Sequence, residues 1–392
     1  MNEGANVWKL YAIRFFFNLI PAYVIERLYW EAKGMSILQV VYTEIIYALS
    51  IVLLELPTGI LADRWGRKKM LILAALMGCC EFLLLIYAND FWDFALVVFL
   101  AAIGSSAISG AEDAMLYDSL SARGQQRFFE KHLGRLQALD ISSTILAALC
   151  GSVLAHWFGF TFTYWISFFS MLAALCLTVA LVEPHVRLEE GNEKPTTIGA
   201  YLKVSLLFFK KQPGVFAVVL SGMVTGAAIA FIDEFWQTYL DRLGIPVLSF
   251  GLFSAAIFLV RIPGSLFAYK LAEIFPYRQL LLTVTAHIAV GFFYLFAFRD
   301  YSGLAAMILI CMLSGVIEPL AAGYLHHRID NSHVRATIGS FQSLGENAVL
   351  TLLGAGFGYF SVSQDIFGGF GFLGVVSCLL FLYLIRVLRK IT

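Results

Sequence analysis

The sequence predicts an all-α polytopic membrane protein: twelve transmembrane helices in two pseudo-symmetric six-helix bundles. Three observations predict it. First, of 392 residues 60% are hydrophobic and 14% charged, whereas soluble domains carry about 25% charged residues. Second, the apolar residues gather into twelve runs of membrane length, about 20 residues being enough to cross a bilayer. Third, the basic residues sort by side. With both termini inside, the cytoplasmic loops hold Lys9, Arg64, Arg67, Lys68, Lys69 and most others, and the outer loops hold only Arg27, Lys33, Arg242 and Arg299. A bias of about five to one is what the cytoplasmic preference of basic loops demands, and one missed span would scramble it.

The first span, Val7 to Tyr29, has neither a basic leader nor a small-residue cleavage site, so it is expected to stay as an uncleaved helix. Next come Leu38 to Ala62, with Pro57 near its end, and Lys69 to Ala88. The turn between them, Gly59-Ile60-Leu61-Ala62-Asp63-Arg64-Trp65-Gly66-Arg67-Lys68-Lys69, is short and basic, which places it in the cytoplasm and fixes the topology. Phe91 to Tyr117, Leu133 to Trp157 and Phe160 to Val182 complete a first bundle, residues 1–183. Residues 184–212 are the longest polar stretch and read as a cytoplasmic linker. The second bundle, residues 213–392, has spans Gly214 to Tyr239, Leu248 to Leu271, Tyr277 to Phe298, Gly303 to Leu325, Ala336 to Val362 and Phe367 to Val387.

The halves repeat. Gly59 recurs as Gly264, Gly110 as Gly315, Gly134 as Gly339 and Gln137 as Gln342, all at an offset of about 205 residues. A shared offset between six-span halves implies two copies of one bundle related by an axis along the membrane normal.

Ionisable groups at membrane depth are costly and mark function by default. Counted along helices from the cytoplasmic loops, Glu55, Asp140, Arg261 and Glu346 lie roughly 12 to 17 Å inside. Glu26, Asp233 and Glu234 lie near the outer surface, where solvation explains them. Glu44 and Glu55 share one helix face, eleven residues apart. Arg14, with Asn18 one turn on, and the acids Glu112, Asp113 and Glu318 are candidates for a polar cavity or for proton movement. By the repeat, Glu55 corresponds to Arg261 and Asp140 falls one residue from the counterpart of Glu346. The rings Phe231, Phe235 and Trp236 either pack or meet a flat apolar ligand.

The signature turn carries a resemblance. Gly59, Asp63, Arg64, Gly66, Arg67 and Lys68 match the pattern G-x-x-x-D-R-x-G-R-[RK] between the second and third helices of major facilitator superfamily transporters, and Leu116-Tyr117-Asp118 resembles their helix-4 terminus. The likeness covers the whole chain. It implies a gate in which Arg67 pairs with Asp118, with Gly59 allowing close helix approach and Gly66 a tight turn. The second copy keeps Gly264 but has Ala268 and Tyr269 in place of the Asp-Arg pair, so the latch is one-sided. The family arrangement sets helix 2 against helix 11 and helix 5 against helix 8. It therefore implies an interdomain ion pair, Asp140 with Arg261, and a carboxyl pair, Glu55 with Glu346, as the proton-coupling site. Helices 4 and 10 of the family line the cavity, which draws in Glu112, Asp113 and Glu318. Glu44 and Glu55 are similar to the helix-2 acids of the bacterial drug-efflux branch, so the expected activity is proton-coupled export of amphipathic molecules. The fifth span has no proline, unlike many antiporters, which keeps open a symporter or facilitator for a metabolite or siderophore.

Other signals are excluded. Gly369-Phe370-Gly371-Phe372-Leu373-Gly374 matches a dinucleotide fingerprint as text, but no strand precedes it. There is no phosphate-binding Walker loop, no nucleophile elbow and no metal spacing among the six cysteines. No enzyme activity, cofactor, metal or nucleic-acid partner is expected. The expected partners are a small-molecule substrate, protons and the lipid bilayer of the inner membrane, with the chain a monomer.

Overall fold

The computed structural model describes residues 6–109, 111–122, 124–183, 213–326 and 332–388. The side chains of Gly59, Asp63, Arg64, Tyr269, Glu318 and residues 319–344, together with Gly110 and the linker 184–212, lie outside the described residues. All regular structure described is helical: α1 (Asn6–Asn18), α2 (Glu26–Ala32), α3 (Ile37–Trp65), α4 (Arg67–Tyr87), α5 (Phe91–Ile108), α6 (Ala111–Ser121), α7 (Phe129–Phe158), α8 (Phe160–Val179), α9 (Pro213–Arg242), α10 (Phe250–Ile274), α11 (Tyr277–Ala297), α12 (Ser302–His326) and α13 (Ser332–Leu388), with short 3₁₀ turns between. These elements supply the twelve spans. Nine described helical stretches are individually long and apolar enough to cross a membrane, and the stretch Ser302–Ile317 is a shorter apolar helix.

Two expected spans are broken within their length, and two others are joined without a gap. The first breaks between Asn18 and Glu26, passing through a 3₁₀ turn at Pro21–Val24. Pro21 lacks an N–H and pushes Ile20 out of the helical region, to φ −117° and ψ 89°. The break is seated in a neighbour: a Cβ on Gly151 of α7 would come within 2.3 Å of the Pro21 carbonyl oxygen. The fourth span divides at Ser109, whose ψ of 119° ends α5 before α6 begins. The last two spans run together as α13, turned at Gln364 and Asp365, the latter at φ 57°. Arg242 holds that turn through Nε on Asp365 Oδ2 at 2.7 Å.

By contacts the chain divides into two compact units, Met1–Glu190 with Gly244–Ala255, and Gly191–Leu243 with Ala256–Thr392. In the first, α4 packs against α5 and α8, α3 against α5, and α1 against α7 and α8. In the second, α11 packs against α12 and α13, and α9 against the same two. Lipid tails are as apolar as leucine, so such packing rests on close van der Waals fit and small residues. A cluster around Leu10, Met70, Leu71, Met115, Leu116 and Leu136 closes the first unit at the signature end. Phe231 and Phe235 stack on Phe357 at 4.8 and 5.0 Å between ring centroids, and both are about 1% exposed. These rings are core.

Two glycines of the repeat act as spacers, whereas a Cβ on Gly134 would meet nothing within 4 Å. A Cβ on Gly264 would lie 2.5 Å from the Met312 carbonyl oxygen, and one on Gly315 would lie 2.4 Å from that of Arg261, so α10 and α12 touch backbone to backbone. Pro57 in α3 and Pro263 in α10 occupy matching interior positions. The text-level dinucleotide match is packing too: Gly369 faces the Phe357 ring, Gly371 the Phe296 ring and Gly374 the Phe293 ring.

Candidate functional site

Arg14 is the hub of the first unit. It projects from α1 and grips Asp140 of α7 with two parallel bonds, Nε to Oδ1 at 2.6 Å and Nη2 to Oδ2 at 2.9 Å. Its Nη1 forms an ion pair with Glu112 of α6. Asn18, one turn on, donates to Asp140 Oδ1 at 2.9 Å. The break at Ser109 matters here, because it starts α6 just before Glu112 and sets that carboxylate in the first turn, where the helix dipole favours an anion. Glu112 is 4% exposed, and its second oxygen, Oε1, finds no hydrogen-bond donor among the described residues. One guanidinium thus ties three helices together and faces two carboxylates. Asp113, its neighbour, is exposed.

Asp140 and Arg261, expected as a pair, each have an ion-pair partner within their own unit. Asp140 is satisfied by Arg14 and Asn18 inside its own bundle, and a two-pronged guanidinium grip leaves it little to offer a more distant cation. Arg261 of α10 pairs with Asp233 of α9 and donates weakly to Cys311 Sγ at 3.6 Å. Asp233 is thus ion-paired within its bundle while its side chain stays 40% exposed. The α9 helix runs on to Arg242, past the expected span end at Tyr239. Glu44 forms an ion pair at 2.7 Å with Arg27, itself 5% exposed and stacked 4.7 Å over Trp30. Of the two helix-2 acids, Glu44 is thus tied up structurally. Glu55 is half-buried, and its carboxylate has no ion-pair partner among the described residues.

At the signature loop, Gly66 separates α3 from α4 at φ +93°, a conformation other residues rarely adopt. Arg67 forms an ion pair with Asp118 and donates from Nη1 to the Ala114 carbonyl at 2.9 Å. Sequence reasoning missed a third member, Glu183. Its carboxylate accepts the backbone N–H groups of Arg67 at 2.9 Å and Lys68 at 2.8 Å, capping α4, which has no capping side chain of its own. A Cβ on Gly66 would meet Glu183 Oε1 at 3.1 Å, a second reason for glycine there. The peptide of Val182 is held by Asn6, which donates to its carbonyl at 2.7 Å and accepts from its N–H at 3.1 Å, while also donating to Ser119 at 3.2 Å. The available signal was a helix start after Gly66 with no Ser, Thr, Asp or Asn to cap it, a vacancy that some distant acceptor had to fill.

The second unit contains a cavity of about 520 Å³ between α9, α10, α12 and α13. Asp233, Arg261 and Glu346 all line it, so the expected proton residue of the eleventh span shares a wall with the ion pair.

These features define a class: a polytopic helical transporter with buried charge clusters inside its bundles. The comparisons identify it further. The profile of the Major Facilitator Superfamily matches residues 10–350, and the chain belongs to that superfamily. Its proteins are transporters and not enzymes. The MFS-type transporter YxaM of Bacillus subtilis, uncharacterized, is 23% identical over 349 residues, 84% of each chain. An uncharacterized transporter of Buchnera aphidicola is 26% identical over 214 residues, and there the match spans 50% of this chain and about half, 52%, of the relative. A bicyclomycin resistance protein homolog of Haemophilus influenzae is 23% identical over 231 residues, 59% of this chain and 55% of that one. Among solved structures, the nucleoside transporter NupG superposes with a TM-score of 0.74 at 15% identity, covering 99% and 100% of the two chains. The D-xylose-proton symporter gives 0.72 at 13% identity, covering 97% and 96%. The fold is that of the superfamily, and the chain is a multi-pass membrane protein.

Proposed function

We propose that this chain is a proton-coupled exporter of small amphipathic molecules in the cytoplasmic membrane, a monomer with both termini in the cytoplasm. It works by alternating access between bundles 1–183 and 213–392 joined by the linker 184–212. The observation that carries the reading is the cluster of Arg14, Glu112 and Asp140: one cation against two carboxylates, with Glu112 Oε1 left without a donor. Such a cluster holds one more negative charge than positive, and uptake or loss of one proton changes its balance and hence its grip on three helices. Glu55 and Glu346 remain proton-coupling residues in this reading, and Asp140 and Arg261 act within their own bundles. The gate is Gly59, Asp63, Arg64, Gly66, Arg67 and Lys68 with Asp118. The Haemophilus relative, named for drug resistance, supports the export direction.

A second reading, symport or facilitated movement of a metabolite or siderophore, is favoured by α7, which runs unbroken from Phe129 to Phe158 without proline. Purified protein in proteoliposomes under an imposed pH gradient decides between them. Substrate moving against the proton flow, with loss of coupling in Glu112→Gln, supports export. Accumulation along the proton flow refutes it.

A further inference from the structure

At the signature end of the first unit, the side chain of Asn6 is spent on groups outside its own helix. It is 0% exposed, and its amide makes three hydrogen bonds. Nδ2 donates to Ser119 Oγ at 3.2 Å and to the Val182 carbonyl at 2.7 Å, while Oδ1 accepts the Val182 N–H at 3.1 Å. An amide offers two donors and two lone pairs, so both of its N–H groups have an acceptor here. The chain neighbours of its partners matter. Ser119 follows Asp118, which forms the ion pair with the Arg67 side chain. Val182 precedes Glu183, which accepts the backbone N–H groups of Arg67 and Lys68. Each acid that holds the loop is thus one residue from a group that Asn6 holds, and a single buried amide sets the spacing between the two acids. A second tie fixes α1 at this end, from Lys9 Nζ to the Ala180 carbonyl at 2.5 Å. Farther along α1, Arg14 pairs with Glu112 of α6. Arg14 lies eight residues beyond Asn6 and Glu112 seven before Ser119, about 12 and 10 Å along their helices. The antiparallel helices α1 and α6 are therefore joined by two rungs, a charged one deep in the bundle and an amide one at the loop.

We infer that Asn6 is a positioning residue of the Arg67 contact: it places Asp118 and Glu183 on the loop and makes that placement depend on α1, the helix that carries Arg14. Replacing Asn6 loosens both acids together, which substitution of either acid alone does not do. That this contact is a gate rests on the transport reading above. The positioning itself is testable without transport.

The experiment is hydrogen exchange on the full chain in lipid nanodiscs, comparing the wild type with Asn6→Leu and Asn6→Gln. Leucine matches the branched outline of asparagine and makes no side-chain hydrogen bond, whereas glutamine keeps the amide on a longer stem. The amides of Arg67 and Lys68 bond to Glu183 and not to Asn6. Their exchange is expected to quicken about fivefold in Asn6→Leu, and to return part of the way to the wild-type rate in Asn6→Gln. Amides in the middle of α4, from Gly78 to Phe82, are expected to keep the wild-type rate. On a Glu183→Ala background, Asn6→Leu is expected to add little at Arg67 and Lys68, because the two changes act on one contact. Should Asn6→Leu fail to fold, Asn6→Asp reads the same amides: it keeps the outline and the acceptor, but its carboxylate cannot donate to the Val182 carbonyl. Unchanged exchange at Arg67 and Lys68, equal quickening along all of α4, identical behaviour of Asn6→Leu and Asn6→Gln, or full additivity with Glu183→Ala overturns the inference. The two readings fail separately. Quickened exchange with undiminished transport in proteoliposomes leaves Asn6 a positioning residue and sinks the gating role of the contact. Lost transport with unchanged exchange removes the positioning role and leaves the gate untouched.

Discussion

The two halves handle buried charge differently. In the first, one guanidinium holds two carboxylates from two other helices. In the second, Arg261 holds a single carboxylate, and the other acid nearby, Glu346, lines an open cavity. Yet the backbone devices repeat. Pro57 and Pro263 sit in the second helix of each half. Asp90 caps α5 through Trp92 and Asp93, and Asp300 accepts from Ser302 at the start of α12. The ion pairs do not repeat: the residue 205 positions beyond Arg14 is Val219, and the one 205 before Asp233 is Leu28. Helix packing constrains small residues, prolines and caps alike in both copies, whereas each ionisable group in lipid needs its own partner and its own use. A shared scaffold carries two charge arrangements, a guanidinium held between two carboxylates and an ion pair on a cavity wall.

Removing the cation from each arrangement tests this most strongly. Arg14→Gln leaves two acids facing each other and is expected to cost about 3–5 kcal/mol of stability and all coupled flux. Arg261→Gln strands one acid, with Asp233 partly solvated at 40% side-chain exposure, and is expected to cost less. Denaturant unfolding of the two purified variants in one detergent ranks them; equal losses would break the contrast. A smaller effect sharpens the scaffold side. Gly264→Val drives a side chain against the Met312 carbonyl and is expected to cost about 1–3 kcal/mol, whereas Gly226→Ala, with open space around its Cβ, is tolerated, as thermal unfolding will read.

Glu183→Ala comes next, at about 0.5–2 kcal/mol, since it uncaps α4. Hydrogen exchange is expected to quicken at the amides of Arg67 and Lys68, which lose their acceptor. The smallest effect is at Asp300, which is fully exposed. The Ser302 hydroxyl and N–H hold its carboxyl below the usual range. A depressed folded pKa means that its contribution is present above the ordinary carboxylate value of about 4 and fades as pH falls through the folded value. Melting curves of wild type and Asp300→Asn are therefore expected to differ at neutral pH and converge in acid.

Much of the fold was legible because it rests on local chemistry. Twelve runs of sufficient length, a basic turn between the second and third, and glycines at a fixed offset each act through the backbone near them. The helix breaks were readable in principle, since Pro21 announces the first. The Arg67–Asp118 contact followed from the resemblance. The partners of Arg14 and Arg261 did not follow from anything local. Their acids are 98, 126 and 28 residues away, and depth along a helix says how far a group is buried but not which neighbour it turns toward. The pairing of Asp233 with Arg261 was not legible either, because solvation alone accounts for an acid near a helix end and says nothing of a partner 28 residues on. Glu183 was missed because a cap can come from any acceptor that reaches the helix end, and here it lies more than a hundred residues on.

That cap bears on how the signature loop can be exchanged between relatives. The turn at Gly66 looks like a self-contained cassette, portable as a string of eleven residues. Its helix start is finished by a carboxylate from the far end of the bundle, and its glycine makes room for that carboxylate. A chimera that moves the loop into a host with no acid at the end of the sixth span imports two bare N–H groups along with it. Loop and residue 183 form one transplantable unit, and engineering that moves the first without the second is expected to inherit a frayed α4 rather than a gate.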